Sequence, residues 1–217
     1  MTRTRPVPRK RSTYRHGDLR RALLDAGIAL ARAGGPDAVV LREATRRAGV
    51  VPNAAYRHFA NHHALLQAVR AAALSALAVA METELAGLRP AKRPADFARA
   101  SLRAVGKGYL RFAHAEPGLF RTAFVVTDDV EVTDAAAMTG HSGLNPFQLL
   151  GAALDRYVDA GLLAPADRPG AEFLAWSAVH GLAKLIHDGP LRRLGRGQQQ
   201  QVSERLLDMV EKGLERS

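Results

Sequence analysis

From Ala44 to Phe59 the chain reads ATRRAGVVPNAAYRHF, a helical pattern that stops at Gly49-Val50-Val51-Pro52 and restarts for about two turns. This break constrains the fold more than any other stretch. Glycine can take the left-handed conformation that ends a helix, which a Cβ would penalise. Proline then restarts a helix with its φ already set. Ala44, Ala48 and Ala55 are small enough for the flanking helices to approach closely, and Leu41, Val50 and Phe59 supply an anchoring core. Two short helices joined by a tight glycine-containing turn make a helix-turn-helix, expected at about 41–59. With its apolar side pinned, the second of them turns Asn53, Tyr56, Arg57 and His58 outward. A rod of this size fits the major groove of DNA, where Asn pairs bidentately with adenine and Arg with guanine. The Tyr56 hydroxyl and Arg42 are better suited to phosphates. The plainer reading, an amphipathic helix end, explains neither the break nor the local charge.

That charge is unevenly distributed. Residues 1–70 hold 14 Lys and Arg against 4 Asp and Glu, whereas residues 71–217 hold 17 of each. The whole excess of +10 therefore lies in the first third, which implies a polyanionic partner for one end only. An anionic membrane surface would also suit it, but no uninterrupted run of about 18 apolar residues exists. The apolar segment Ala68–Ala80 is itself broken by Arg70 and Ser75, so no membrane span is expected. Hydrophobic residues make up 47% of the chain, enough for a real core. There are no cysteines, which excludes disulfides, thiolate metal sites and cysteine nucleophiles and suits a reducing interior. No apolar segment follows the basic N-terminus, so no secretory signal is expected and the location expected is cytoplasmic, at the nucleoid when DNA-bound.

Residues 1–13 are basic, contain two prolines and lack periodicity, which reads as a flexible arm. Residues 14–62 then form the helix-turn-helix domain and 63–217 a helical body. Apolar residues at Leu19, Leu23, Ala26 and Leu30 predict a first helix from Asp18 to Gly34-Gly35-Pro36. The next helices are predicted at 41–48 and 52–58, then a long one capped by Asn61 and reaching about Leu88. The body adds helices at 95–115, 119–124, 146–160, 170–188 and 198–215, with a polar, acidic loop over Thr127–Gly143. The expectation is an all-α fold of about nine helices.

The block GPDAVVLREATRRAGVVPNAAYRHFANHHALL resembles the N-terminal DNA-binding domain of tetracycline-repressor-like (TetR-type) regulators. Gly49, Val50, Tyr56, His58, Phe59 and Leu65 fall in that family's register, and TYRHGDLRRALLDAG is similar to its first helix in one branch. The match covers about residues 14–70. The DNA-contacting set it implies is Arg42, Val51, Asn53, Ala54, Tyr56, Arg57, His58 and His62. The arm residues Arg3, Arg5, Arg9, Lys10 and Arg11 are expected to add phosphate or minor-groove contacts. Some positions depart from the pattern. Val40 and Val51 stand where the family has hydroxyl caps, Ala44-Thr45 replaces a Val-Ala pair, and His62 replaces a phosphate-binding Lys.

Later, AWSAVHGLAKLIHDG (175–189) resembles the Trp…His-Gly segment of a common TetR-type C-terminal domain. That likeness implies a homodimer joined through the last two helices, about 170–188 and 198–215. Phe173, Trp176, His180, Leu182 and Leu185, with Val202, Leu206, Met209 and Val210, are read as two apolar stripes. Such stripes serve a dimer interface or an intrachain core equally well. The body is also expected to hold an unidentified small-molecule effector, with Phe97, Tyr109, Phe112, Phe120, Phe124, Phe147, Trp176 and His180 as candidates for the pocket or for plain core. Asp128–Asp134 is a candidate gate.

Eight histidines raise the question of a metal, but His62-His63 point apart and His180 and His187 lack carboxylate companions at ligand spacing. No nucleophile elbow or HExxH helix occurs, and Gly106-Lys107-Gly108 is too short for a phosphate loop. Neither metal, cofactor nor enzymatic activity is expected. The reading is a DNA-binding transcriptional regulator, a ligand-relieved repressor acting as a homodimer on palindromic double-stranded DNA. Its alternatives are a non-specific helical nucleic-acid-packaging protein and a helical enzyme with a basic arm.

Overall fold

The computed structural model describes residues 16–125 and 135–215. Among them are α1 (His16–Gly34), α2 (Leu41–Ala48), α3 (Pro52–Ala55), α4 (His62–Ala86) and α5 (Pro94–Ala115). There follow α6 (Pro117–Ala123), α7 (Pro146–Asp159), α8 (Ala171–His187) and α9 (Arg196–Leu214). Short 3-10 turns fill several of the connections, and no strand occurs among the described residues. The basic arm and the acidic stretch 128–134 lie outside the described residues.

The helix boundaries follow from the punctuation. Asn61 caps α4 by accepting a hydrogen bond from the Ala64 amide at 2.8 Å. Asn145 and Gln148 form a reciprocal capping box at the start of α7. Pro52, Pro94, Pro117 and Pro146 each stand in the first turn of a helix, where a missing N–H costs nothing. One prediction needs correction. The third helix is α-helical only over Pro52–Ala55, and the chain tightens beyond it because His58 N–H bonds back three residues to the Ala55 carbonyl.

Helix α4 is the axis of the molecule. By length and composition alone it is long and apolar enough to cross a membrane, despite the interruptions at Arg70 and Ser75. It packs instead against α1, α5, α6 and α7, burying Leu65, Leu66, Val69, Leu77 and Met81 among others. Its first turns support α1 and its later turns support the body. A second link between the two ends is made by α6. Gly118 lies so close to the last turns of α1 that a Cβ there would sit 2.2 Å from the Ala31 carbonyl oxygen. Arg32 of α1 also pairs with Glu116 at 3.0 Å.

On the far side, α9 is fastened to α5 by charge. Arg103 reaches Glu204, Asp208 and Glu211, and Arg99 pairs with Glu215 at 2.6 Å. Exposed pairs contribute little singly, but a shared guanidinium fixes geometry. The two apolar stripes expected on α8 and α9 do not each form one face. On α8, Trp176 and His180 turn inward and Leu182 is buried, whereas Phe173 and Leu185 are exposed. On α9, Leu207 is buried, while Val202 and Met209 face out.

Candidate nucleic-acid interface and interior cavity

The turn between α2 and α3 is built by Gly49, whose φ of 69° and ψ of 29° are left-handed. Its N–H bonds the Arg46 carbonyl and the Val50 N–H bonds the Thr45 carbonyl, the paired bonds of a Schellman ending. Thr45 is buried and donates its hydroxyl hydrogen to the Arg42 carbonyl at 2.7 Å. Ala44 and Ala55 are fully buried where the two helices meet, Phe59 lies beneath them, and Arg20 of α1 stacks 5.3 Å from the Phe59 ring. Both valine caps act as their chemistry requires: neither Val40 nor Val51 makes a side-chain capping bond.

This scaffold brings the predicted contact residues onto one outward surface. Arg42, Val51, Asn53, Tyr56, Arg57 and His62 are exposed, and Ala54 and His58 are partly so. Tyr56 is 57% exposed, so it is not part of the core. The cations of α2 divide into two kinds. Arg46 holds Glu43 at 2.6 Å, pulling its carboxyl down to about 2, and Arg47 lies 3.4 Å from the same carboxylate. Arg42 of α2, and Arg57 just beyond α3, have no acidic partner within ion-pair distance among the described residues.

The body holds a partly open cavity of about 270 Å³ between α4, α5, α7, α8 and α9, with Ala123 of α6 and Met138 also in its lining. Of the eight predicted pocket residues, Tyr109, Phe124, Phe147 and Trp176 line it. His180 stands behind this wall and shares a hydrogen-bond chain with it. Trp176 Nε1–H donates to the Tyr109 hydroxyl at 3.2 Å, and that hydroxyl lies 2.7 Å from His180 Nδ1. Trp176 Nε1–H takes one acceptor position of the oxygen, which leaves the Tyr109 hydroxyl able to donate to an unprotonated His180 Nδ1. Burial, with Lys184 adding, lowers the His180 pKa, which favours the neutral ring. The other three candidates lie elsewhere. Phe112 and Phe120 are core, with Phe120 stacked between Tyr109 and Phe124, and Phe97 is on the outer surface of α5. Helical spacing alone gives aromatic residues no inside or outside in a bundle this crowded.

Sequence reasoning missed Arg70, Leu74, Met81, Leu150, Leu207 and Glu211 in the lining. For Arg70 a signal existed, since it is the one charge within the apolar run 68–80 and a buried helix admits such a charge only for a reason. Aliphatic lining residues carry no comparable mark. Near the cavity, Glu82 clasps the segment leading to α7, accepting from the His141 and Ser142 amides at 2.8 Å each.

An all-helical chain with an outward helix-turn-helix at one end and an apolar cavity at the other has the form of a one-component DNA-binding regulator. The comparisons with known proteins agree. The family profile for bacterial regulatory proteins of the tetR family matches residues 23–69, and the profile for the tetracyclin repressor-like C-terminal domain matches 102–210. The chain belongs to the TetR family of transcriptional regulators, which are not enzymes. A protein of unknown function from Rhodococcus sp. RHA1 shares the fold at a TM-score of 0.75 and 25% identity, over 95% of this chain and 100% of that one. FadR from Bacillus subtilis, solved in complex with stearoyl-CoA, superposes with a TM-score of 0.64 at 13% identity, covering 89% and 98%. The regulator PfmR from Thermus thermophilus does so with a TM-score of 0.56 at 21% identity, covering 89% and 99%. No curated protein matches the chain.

Proposed function

We propose that this regulator is a cytoplasmic, homodimeric repressor that binds a palindromic operator and is released from it by a small molecule in the body cavity. The observation that carries the DNA half is the exposed set of Asn53 on the restarted helix and Tyr56 and Arg57 in the turn that ends it, beside an Arg42 that no carboxylate among the described residues neutralises. In this reading Asn53 and Arg57 meet base edges, while Arg42, Tyr56 and His62 meet phosphates. The arm residues Arg3, Arg5, Arg9, Lys10 and Arg11 add sequence-independent affinity. Residues 14–62 serve as the reading head and 63–217 as the effector and dimer body.

The dimer is assigned to α8 and α9. Leu174, Leu185 and Met209 are exposed at 70%, 44% and 60%, large apolar side chains left to water on these two helices. Gly181 lies on the same side of α8, and a Cβ there would meet nothing, which leaves room for close approach by a partner helix. Two heads held about 34–36 Å apart would reach successive major grooves. A ligand that favours a different head spacing lowers operator affinity by population shift.

Selection of bound duplexes from a random pool, followed by footprinting, tests this. A bounded, two-fold-symmetric site weakened by Tyr56→Ala and Arg42→Ala is the expected outcome. Uniform coverage of any duplex, unaffected by those substitutions, would instead establish non-specific packaging.

A further inference from the structure

We propose that the cavity takes a molecule with an apolar body and a single anionic group, most simply a hydrophobic monocarboxylate, whose charge pairs with Arg70. This rests on the reading of the cavity as the effector site and specifies the chemistry of what enters it.

The lining contains three charged side chains, Arg70, Arg103 and Glu211. Arg103 is already matched by Glu204, Asp208 and Glu211, so that end of the cavity offers an anion no uncompensated positive charge. Arg70 is different. Its Nε donates to the Ala123 carbonyl at 3.2 Å, and no carboxylate among the described residues lies within ion-pair distance of it. A half-buried guanidinium bonded to one neutral acceptor is poorly compensated, and a carboxylate pairs with it bidentately in a low-dielectric surrounding. Apart from Asn145, which is engaged in capping α7, and Tyr109, the remaining wall is apolar: Leu74, Phe124, Phe147, Leu150 and Trp176 offer an acyl chain or aromatic ring its burial. The one hydroxyl there, that of Tyr109, is spent between Trp176 and His180.

The position of Arg70 also joins ligand to head. Its present acceptor, Ala123, is the last residue of α6, and α6 begins in backbone contact with α1 at Gly118. An anion that captures the guanidinium competes with the Ala123 carbonyl and so loosens the hold of α4 on α6.

The protein contains a single tryptophan, Trp176, and it lines the cavity, so its fluorescence reads occupancy directly. The full chain is titrated with decanoate and naphthoate and with their uncharged amides. Both acids are expected to quench saturably at concentrations about tenfold below their amides, the worth of a charge-assisted pair. Arg70→Gln is expected to erase that preference while binding the amides as the wild type does, and Arg70→Lys to retain part of it. Equal binding of acid and amide by the wild type overturns the proposal, as does an undiminished preference in Arg70→Gln. The wild-type comparison decides alone should Arg70→Gln fail to fold. Quenching by none of the four probes also overturns it, yet leaves the operator reading standing, because duplex selection measures that without any ligand.

Discussion

The Tyr109 hydroxyl lies 2.7 Å from His180 Nδ1, and this hydrogen bond ties α5 to α8 at the wall of the cavity. The Trp176 and His180 of the family's Trp…His-Gly segment are thereby the two outer members of one hydrogen-bond chain with Tyr109 at its centre. Tyr109→Phe removes the centre and leaves both partners unsatisfied. Destabilisation of about 1–3 kcal/mol is expected, measured by urea unfolding, together with a changed Trp176 emission in the native state.

The same chain makes stability depend on pH. Unfolded, the His180 ring takes up a proton near its ordinary value of 6.5; folded, burial delays protonation to lower pH. The unfolded state therefore binds more protons in that interval, so stability is full above about 6.5 and falls as the solution is acidified below it. His187, also lowered by burial, acts in the same direction. His180→Gln keeps an acceptor for Tyr109 but cannot be protonated. Its melting temperature is expected to fall less than that of the wild type between pH 7 and pH 5.5, and an identical fall would refute this account.

At the turn of the reading head, nothing lies within 4 Å of where a Gly49 Cβ would be, so the demand for glycine is torsional alone. Gly49→Ala is expected to cost about 1–2 kcal/mol through the left-handed φ. Operator affinity should drop further than stability does, since a shifted turn re-aims α3.

Arg42 and Arg57 should be separable by salt. Loss of a phosphate contact at Arg42→Ala is expected to reduce the slope of log affinity against log salt by about 1 while leaving the selected motif unchanged. Arg57→Ala should relax the motif at one base position per half-site. Interchanged results would exchange the two roles.

Leu174→Glu and Met209→Glu place charge in the exposed apolar face of α8 and α9 without touching the core. Each is expected to yield a folded monomer by sedimentation, with operator affinity lowered at least tenfold because one head must then bind alone. Unaltered dimers from both would place the interface elsewhere.

Much of the head could be read in the sequence because its signals are local. Gly49 and Pro52 act through their own torsions, Asn61 through an amide three residues on, and Leu41, Ala44 and Ala55 through simple helical spacing. The short α3 could not be read, because its end is set by a bond three residues back rather than by a breaker residue. In the body, Phe120 and Phe124 are four positions apart on one helical face, yet Phe120 is core and Phe124 lines the cavity. Both rings pack against His180 of α8, far along the chain, so which of them meets the cavity is not set by local spacing. Arg70 was visible as an interruption of an apolar run, but its environment depends on the carbonyl of Ala123, which only the packed chain brings near.

Where α6 meets α1, Gly118 has no side chain to place between the two backbones. An ordinary helix contact has rotamers that give way and absorb small displacements. This one has no such slack, so a displacement of α6 is expected to be passed directly to α1, as through a bolted joint rather than a spring.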